Sequence, residues 1–110
     1  MPFYLFQGRY TSDAIKAMIT KPQDREVAAR SMIEAMGGKL HHMFFCFGHD
    51  DVVALIEAPD DETAAGCTMI VGASGAMSGG ATTKLLTSAQ AQAAMKKAGA
   101  GVAKYTPATG

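Results

Sequence analysis

Phe44-Phe45-Cys46-Phe47-Gly48-His49-Asp50-Asp51-Val52-Val53-Ala54-Leu55-Ile56 decides the fold. An aromatic run, a short polar segment with glycine and an aliphatic run follow one another, the pattern of two strands joined by a tight turn. The rest of the chain is placed outward from this hairpin.

Upstream, Lys39 to Phe47 reads as the whole of the second strand. A period of two sets Leu40, His42, Phe44 and Cys46 on one face and His41, Met43, Phe45 and Phe47 on the other. Gly37-Gly38 before it suits a left-handed helix end. Ala29, Met32, Ile33 and Met36 fall at i, i+3, i+4 and i+7, one apolar helical stripe. A further helical segment with Ile15, Met18 and Ile19 opens behind the capping run Thr11-Ser12-Asp13. Pro22 disfavours helix in the residue before it, so one long helix is broken or kinked there. Pro22 also suits the start of the second segment, with Asp24 and Glu26 in its first turn. Phe3 to Tyr10 is the first strand, with Phe3, Leu5, Gln7 and Arg9 on one face and Tyr4, Phe6, Gly8 and Tyr10 on the other.

Downstream, Val52 to Ala58 is the third strand, stopped by Pro59. Asp60 is an N-cap for a helix rich in small residues. Gly72 to Gly80 reads as a loop, Ala81 to Leu86 as a short fourth strand, and Thr87 with Gln90 as the capping box of a last helix. Residues from about 100 to 110 form a C-terminal arm, placed to lie on a neighbouring subunit. The order strand, helix, strand, strand, helix, strand is the ferredoxin-like split arrangement, an α+β fold with helices on one side of an antiparallel sheet. Apolar bulk on both faces of the strands requires a cover for the second face, and a second copy is the simplest one.

The totals fit a single domain over residues 1–110. A chain of 110 residues, 48% hydrophobic and 18% charged, has an ordinary globular composition. Ten basic and ten acidic side chains cancel, which leaves no electrostatic footprint for nucleic acid. No apolar run approaches the ~20 residues of a membrane helix, and no leader pattern opens the chain, so a cytoplasmic location is expected. Cys46 and Cys67 are expected as buried free thiols, and Met18, Met32, Met36 and Met69 as core.

His41, His42, Cys46 and His49 carry metal-ligating chemistry, but alternation sends His41 and His42 to opposite faces, and His42 to Cys46 spans about 13 Å of strand. No metal and no cofactor is expected. The glycine-rich 72–80 stretch lacks the Gly-Lys-Ser/Thr of a phosphate loop. Candidate catalytic groups are His42 and Asp50 as proton acceptors, with Arg9 on a developing oxyanion. Candidate ligand contacts are Gln7, Arg9 and His42, polar groups on strands that otherwise look covered.

Tyr4-Leu5-Phe6-Gln7-Gly8-Arg9-Tyr10-Thr11, Gly37-Gly38-Lys39-Leu40, Phe47-Gly48-His49-Asp50-Asp51-Val52-Val53, Glu57-Ala58-Pro59-Asp60, Thr82-Thr83-Lys84-Leu85-Leu86-Thr87 and Tyr105-Thr106-Pro107 together resemble the GYD-domain family. Gly48 and Asp51 fit the family's turn motif, while Asp50 stands where the family often has tyrosine, so no role of that tyrosine transfers. The resemblance implies a dimeric α+β barrel, two sheets packed face to face. Three functions follow as expectations: a cytosolic homo-oligomeric module binding a small apolar or aromatic metabolite, a cofactor-independent enzyme of monooxygenase or isomerase type, or a purely structural assembly protein.

Overall fold

The computed structural model describes residues 1–109. The elements in chain order are β1 (Phe3–Tyr10), α1 (Ser12–Thr20), α2 (Arg25–Ala35), β2 (Lys39–Phe45), β3 (Val52–Glu57), α3 (Asp61–Ala73), β4 (Met77–Leu85) and α4 (Ser88–Gly99), then a 3-10 turn at Val102–Lys104. The four-stranded sheet has the order β2-β3-β1-β4, antiparallel throughout, which is the ferredoxin-like arrangement. One face carries the helices. Tyr4 of β1, Leu40 of β2, and Ala54 and Ile56 of β3 meet Ile33 of α2 and Ala64 of α3 there, all buried.

Local chemistry sets most of the boundaries. The Thr11 hydroxyl caps α1 by accepting from Ala14 N–H. The helix breaks at Pro22, and α2 starts only after Asp24, whose carboxylate accepts from the N–H groups of Glu26 and Val27. Its far end is a Schellman turn: Gly37 sits at φ +83°, Gly37 N–H donates to Glu34 C=O, and Gly38 N–H donates to Ile33 C=O. Asp60 caps α3, and Thr87 with Gln90 forms the capping box of α4.

Three expectations are corrected. The first concerns β2, which ends at Phe45, leaving Cys46 and Phe47 in the connection to β3. Its register against β3 shifts between Leu40 and His42, so His41 is an extra residue. A bulge of this kind reverses the alternation beyond it. Leu40, Met43 and Phe45 therefore face the helices, opposite Ile56, Ala54 and Val52. His41 and His42 share the open face instead of pointing apart. The His41 ring lies 5.6 Å from that of Phe3 and its Nε2 is 2.6 Å from Glu57 Oε1, while His42 stacks on Phe44.

The second correction is β4. It begins at Met77, not Ala81, so half of the glycine-rich stretch is strand. β1 runs to Tyr10 and needs a backbone partner along its whole length; Gly79 and Gly80 supply it opposite Arg9 and Gly8. Glycine is required at position 80, where a Cβ would stand 2.5 Å from the Gln7 carbonyl oxygen. Thirdly, Cys46 is exposed rather than buried, and Met69 is 71% exposed rather than core.

The open face of the sheet presents Leu5, Leu55, Val53 and Phe44, with Phe44 63% exposed. Phe47, at the tip of the hairpin connection, is fully exposed. α4 buries no residue, and the chain is 60 Å along its longest axis against 33 and 21 Å across. Of the expected 100–110 arm, residue 110 lies outside the described residues. No helix among the described residues is long and apolar enough to cross a membrane.

Candidate functional site

α2 packs on β2 and α3 packs on β4, and between the two helices the inner face of the sheet lies under a cleft of about 210 Å3. Its floor is Val52, Ala54 and Ile56 of β3, all buried, with Phe6 of β1 beside them. Met32 of α2, Met43 of β2 and Met77 of β4 form adaptable walls. Alanines at 28, 29, 54 and 76 leave the space open where larger side chains would close it. Ala28, Ile70 and Ser74 line the cleft yet remain exposed, so they mark its mouth.

Most polar groups along the cleft are already partnered. The Thr68 hydroxyl donates to Ala64 C=O at 3.2 Å and lies 2.8 Å from the Thr82 hydroxyl. Ser74 Oγ donates to Val71 C=O at 2.6 Å. Cys67 presents a thiol whose pKa burial pushes up, so it stays protonated and unreactive. Tyr10 and Arg25 face each other, and among the described residues Arg25 donates besides only to the neutral amide of Gln23. Both are half-buried, one at the end of β1 and the other in the first turn of α2. Burial raises the Tyr10 phenol above its ordinary value, the nearby Arg25 guanidinium pulls the other way, and Asp51 adds a smaller push upward. The Tyr10 ring is held from behind by Phe45, with centroids 5.8 Å apart and planes at 18°.

The polar residues singled out from the sequence lie elsewhere. Gln7 and Arg9 are on the open face of β1, Gln7 between Val53 and Ala81 and Arg9 opposite Gly79. His42 faces Leu55 on the outer strand β2. It is two strand spacings of ~4.8 Å and four residues of ~3.3 Å from Arg9, so the two do not meet within one chain. Asp50 sits in the hairpin connection, its carboxylate 3.4 Å from His49 Nδ1 and its carbonyl accepting from Cys46 Sγ at 3.1 Å. None of these residues lines the cleft. Among the described residues no group of three or more His, Cys, Asp or Glu is placed to hold a metal ion.

Asp51 has a definite task. Its N–H donates to Gly8 C=O at 2.8 Å and its carboxylate accepts from Tyr10 N–H at 2.9 Å. Gly48 has neither a left-handed φ nor any close neighbour, so this turn places no demand for glycine there. A second polar cluster joins β1, β4 and α3: the Tyr4 hydroxyl donates to Asp61, and Lys84 pairs with the same carboxylate at 3.0 Å. The bond to Asp61 is the main reason the Tyr4 phenol is pushed up to about 12, and Asp61 is correspondingly lowered, by Tyr4 first and Lys84 second.

The face of Tyr10 was readable from the period of β1. Arg25 was not, because a cation between Asp24 and Glu26 at a helix start has the appearance of a solvated side chain.

Among solved structures, the crystal structure of MtbAldR is similar to this chain, with a TM-score of 0.55 at 18% identity over 78% of this chain and 53% of that one. The chain thus spans about half of that protein's length, and at this identity the likeness concerns the fold. No curated protein matches the sequence. The GYD-domain model matches residues 4–95, which takes in all of the sheet but Phe3, the helices that cover it and the cleft between them. The chain belongs to the GYD-domain family.

Proposed function

We propose that the protein is a homo-oligomeric module that binds a small, largely apolar molecule in the cleft between α2, α3 and the sheet. One observation carries this reading: a space of about 210 Å3 with an apolar floor and, at one side, a phenol and a guanidinium. Binding sites for small molecules have that composition, mostly apolar walls with few polar groups that fix orientation. For scale, a dry apolar cavity of ~150 Å3 accepts benzene.

The second copy belongs to the same proposal. Leu5, Val53, Leu55 and Phe44 form an apolar surface on the face without helices, and face-to-face packing of two sheets buries it, giving the dimeric α+β barrel. Two free thiols, one of them exposed, favour a reducing compartment such as the cytoplasm.

The test uses a series of small aromatic molecules, read by melting temperature and by native mass spectrometry of the intact oligomer. Ligand is expected to raise the melting temperature, and Ala29→Trp, which fills the cleft, is expected to remove the rise. A rise that persists unchanged in Ala29→Trp would place binding elsewhere and end this assignment.

A further inference from the structure

The cleft has a charge asymmetry that its apolar lining conceals. Among the described residues Arg25 is the only charged side chain along it, and no Asp or Glu lines it. Arg25 also has no carboxylate partner among the described residues. Its Nη1 donates to the neutral Oε1 of Gln23 at 2.8 Å, and the guanidinium also lies within reach of the Tyr10 phenol. The next arginine shows what a satisfied one looks like here: Arg30 pairs with Glu26 at 2.9 Å and donates to Leu40 C=O at 2.8 Å.

The acids nearest to Arg25 in sequence are committed elsewhere. Asp24 accepts from the N–H groups of Glu26 and Val27, and Glu26 holds Arg30. Asp51, just before β3, spends a carboxylate oxygen on Tyr10 N–H. A half-buried guanidinium with donors to spare therefore faces an apolar space, beside a phenol that supplies one more donor. A guanidinium is the side chain best shaped to grip a carboxylate, through two parallel charge-assisted bonds.

Resting on the reading of this cleft as a binding site, we infer that its ligand is a small organic carboxylate. The apolar body, of about one aromatic ring and a short linker, lies among Met32, Met43 and Met77, and the carboxylate meets Arg25 and the Tyr10 hydroxyl. The space of about 210 Å3 limits the body to that size. A neutral ligand of the same shape fills the space but leaves the guanidinium without a partner. An amine adds a second positive charge to a wall with no acid.

Three isosteric probes test this by calorimetric titration of the intact protein: phenylacetate, 2-phenylethanol and 2-phenylethylamine. Phenylacetate is expected to bind about tenfold or more tightly than the alcohol, as charge-assisted bonds warrant, with the amine weakest. Arg25→Gln should lower phenylacetate far more than the alcohol, bringing the two affinities together. Arg25→Lys should keep part of the preference, and Tyr10→Phe should lower it less than Arg25→Gln does. Equal affinity for all three probes, or a preference that survives Arg25→Gln in a protein of unaltered melting temperature, overturns the carboxylate assignment alone. Absence of binding by all three overturns the cleft as a ligand site, and this inference with it.

Discussion

Asp51 closes the end of β1 where β3 has run out: the Tyr10 N–H, with no residue of β3 opposite it, donates to the Asp51 carboxylate at 2.9 Å. The same residue's N–H bonds to Gly8 C=O, so one aspartate carries the ladder two residues further than the strand itself. This fixes the backbone of Tyr10 and so aims its ring at Phe45 and the cleft. Asp51→Ala is expected to cost about 1–3 kcal/mol, since a half-buried N–H loses its acceptor. Urea unfolding measures it. Asp50→Ala, at the neighbouring residue of the same connection, should cost far less; equal losses would show that the turn, not this bond, matters.

The sheet carries a facing pair of glycines, Gly8 and Gly80, with the Met77 methyl lying where a side chain on Gly8 would be. Gly80→Ala forces a methyl to within 2.5 Å of the Gln7 carbonyl oxygen, so β1 and β4 must separate. The expected loss is about 1–3 kcal/mol by denaturant unfolding. Gly79→Ala, where a Cβ meets nothing, is the control and should be nearly silent.

The Tyr4–Asp61–Lys84 cluster makes stability depend on pH in a defined direction. Asp61 is held below its ordinary value, by Tyr4 first. A lowered carboxylate contributes stability above its unfolded value of ~3.9 and loses it as pH falls through the folded value. The Tyr4 phenol is pushed up to about 12, so its contribution is complete below its unfolded value of ~10 and disappears as pH rises through the folded one. Tyr4→Phe should therefore be less stable than the parent at pH 7, with the gap shrinking below about pH 4. Urea midpoints at pH 7, 5 and 3 read this, and a gap constant with pH would assign the loss to packing.

If a second copy covers the open face, Leu55→Glu places a carboxylate in the middle of the contact. The expected outcome is a monomer by light scattering, with a melting temperature that no longer varies with protein concentration. The charged variant changes a side chain on the face opposite the core, so its inner packing should persist in circular dichroism. An oligomer unaffected by Leu55→Glu would move the contact to another surface.

The helix ends and the hairpin were legible because their signals are local. Gly37-Gly38, Asp60 and the Thr87–Gln90 pair act within a few residues of themselves, and each does in the structure what its sequence implies. β4 was misjudged because Gly79 and Gly80 have little strand preference of their own and are strand only through pairing with β1. The faces of β2 were misjudged because a period of two has no means of registering an added residue. The cleft was invisible for a related reason: alanines and methionines at helical spacing read as packed core, and only the placement of α2 and α3 over the sheet shows the space left between them. Tyr10 and Arg25 are drawn together by that geometry, from opposite ends of α1.

The extra residue in β2 has a consequence for chain length. β2 runs between two rigid anchors, the Schellman turn at Gly37-Gly38 and the Asp51 tether to β1. Leu40 and Met43 are three positions apart yet both point inward, which a regular strand does not allow, and the bulge at His41 absorbs the odd residue. The bulge is a half-turn phase correction, and it makes this one site the place where the segment counts its residues. Removing His41 would leave Leu40, Met43 and Phe45 at a strict period of two, so the ladder would straighten with the same side chains facing the core. Such a deletion costs the His41 contacts with Phe3 and Glu57 on the open face and leaves the inner face in step.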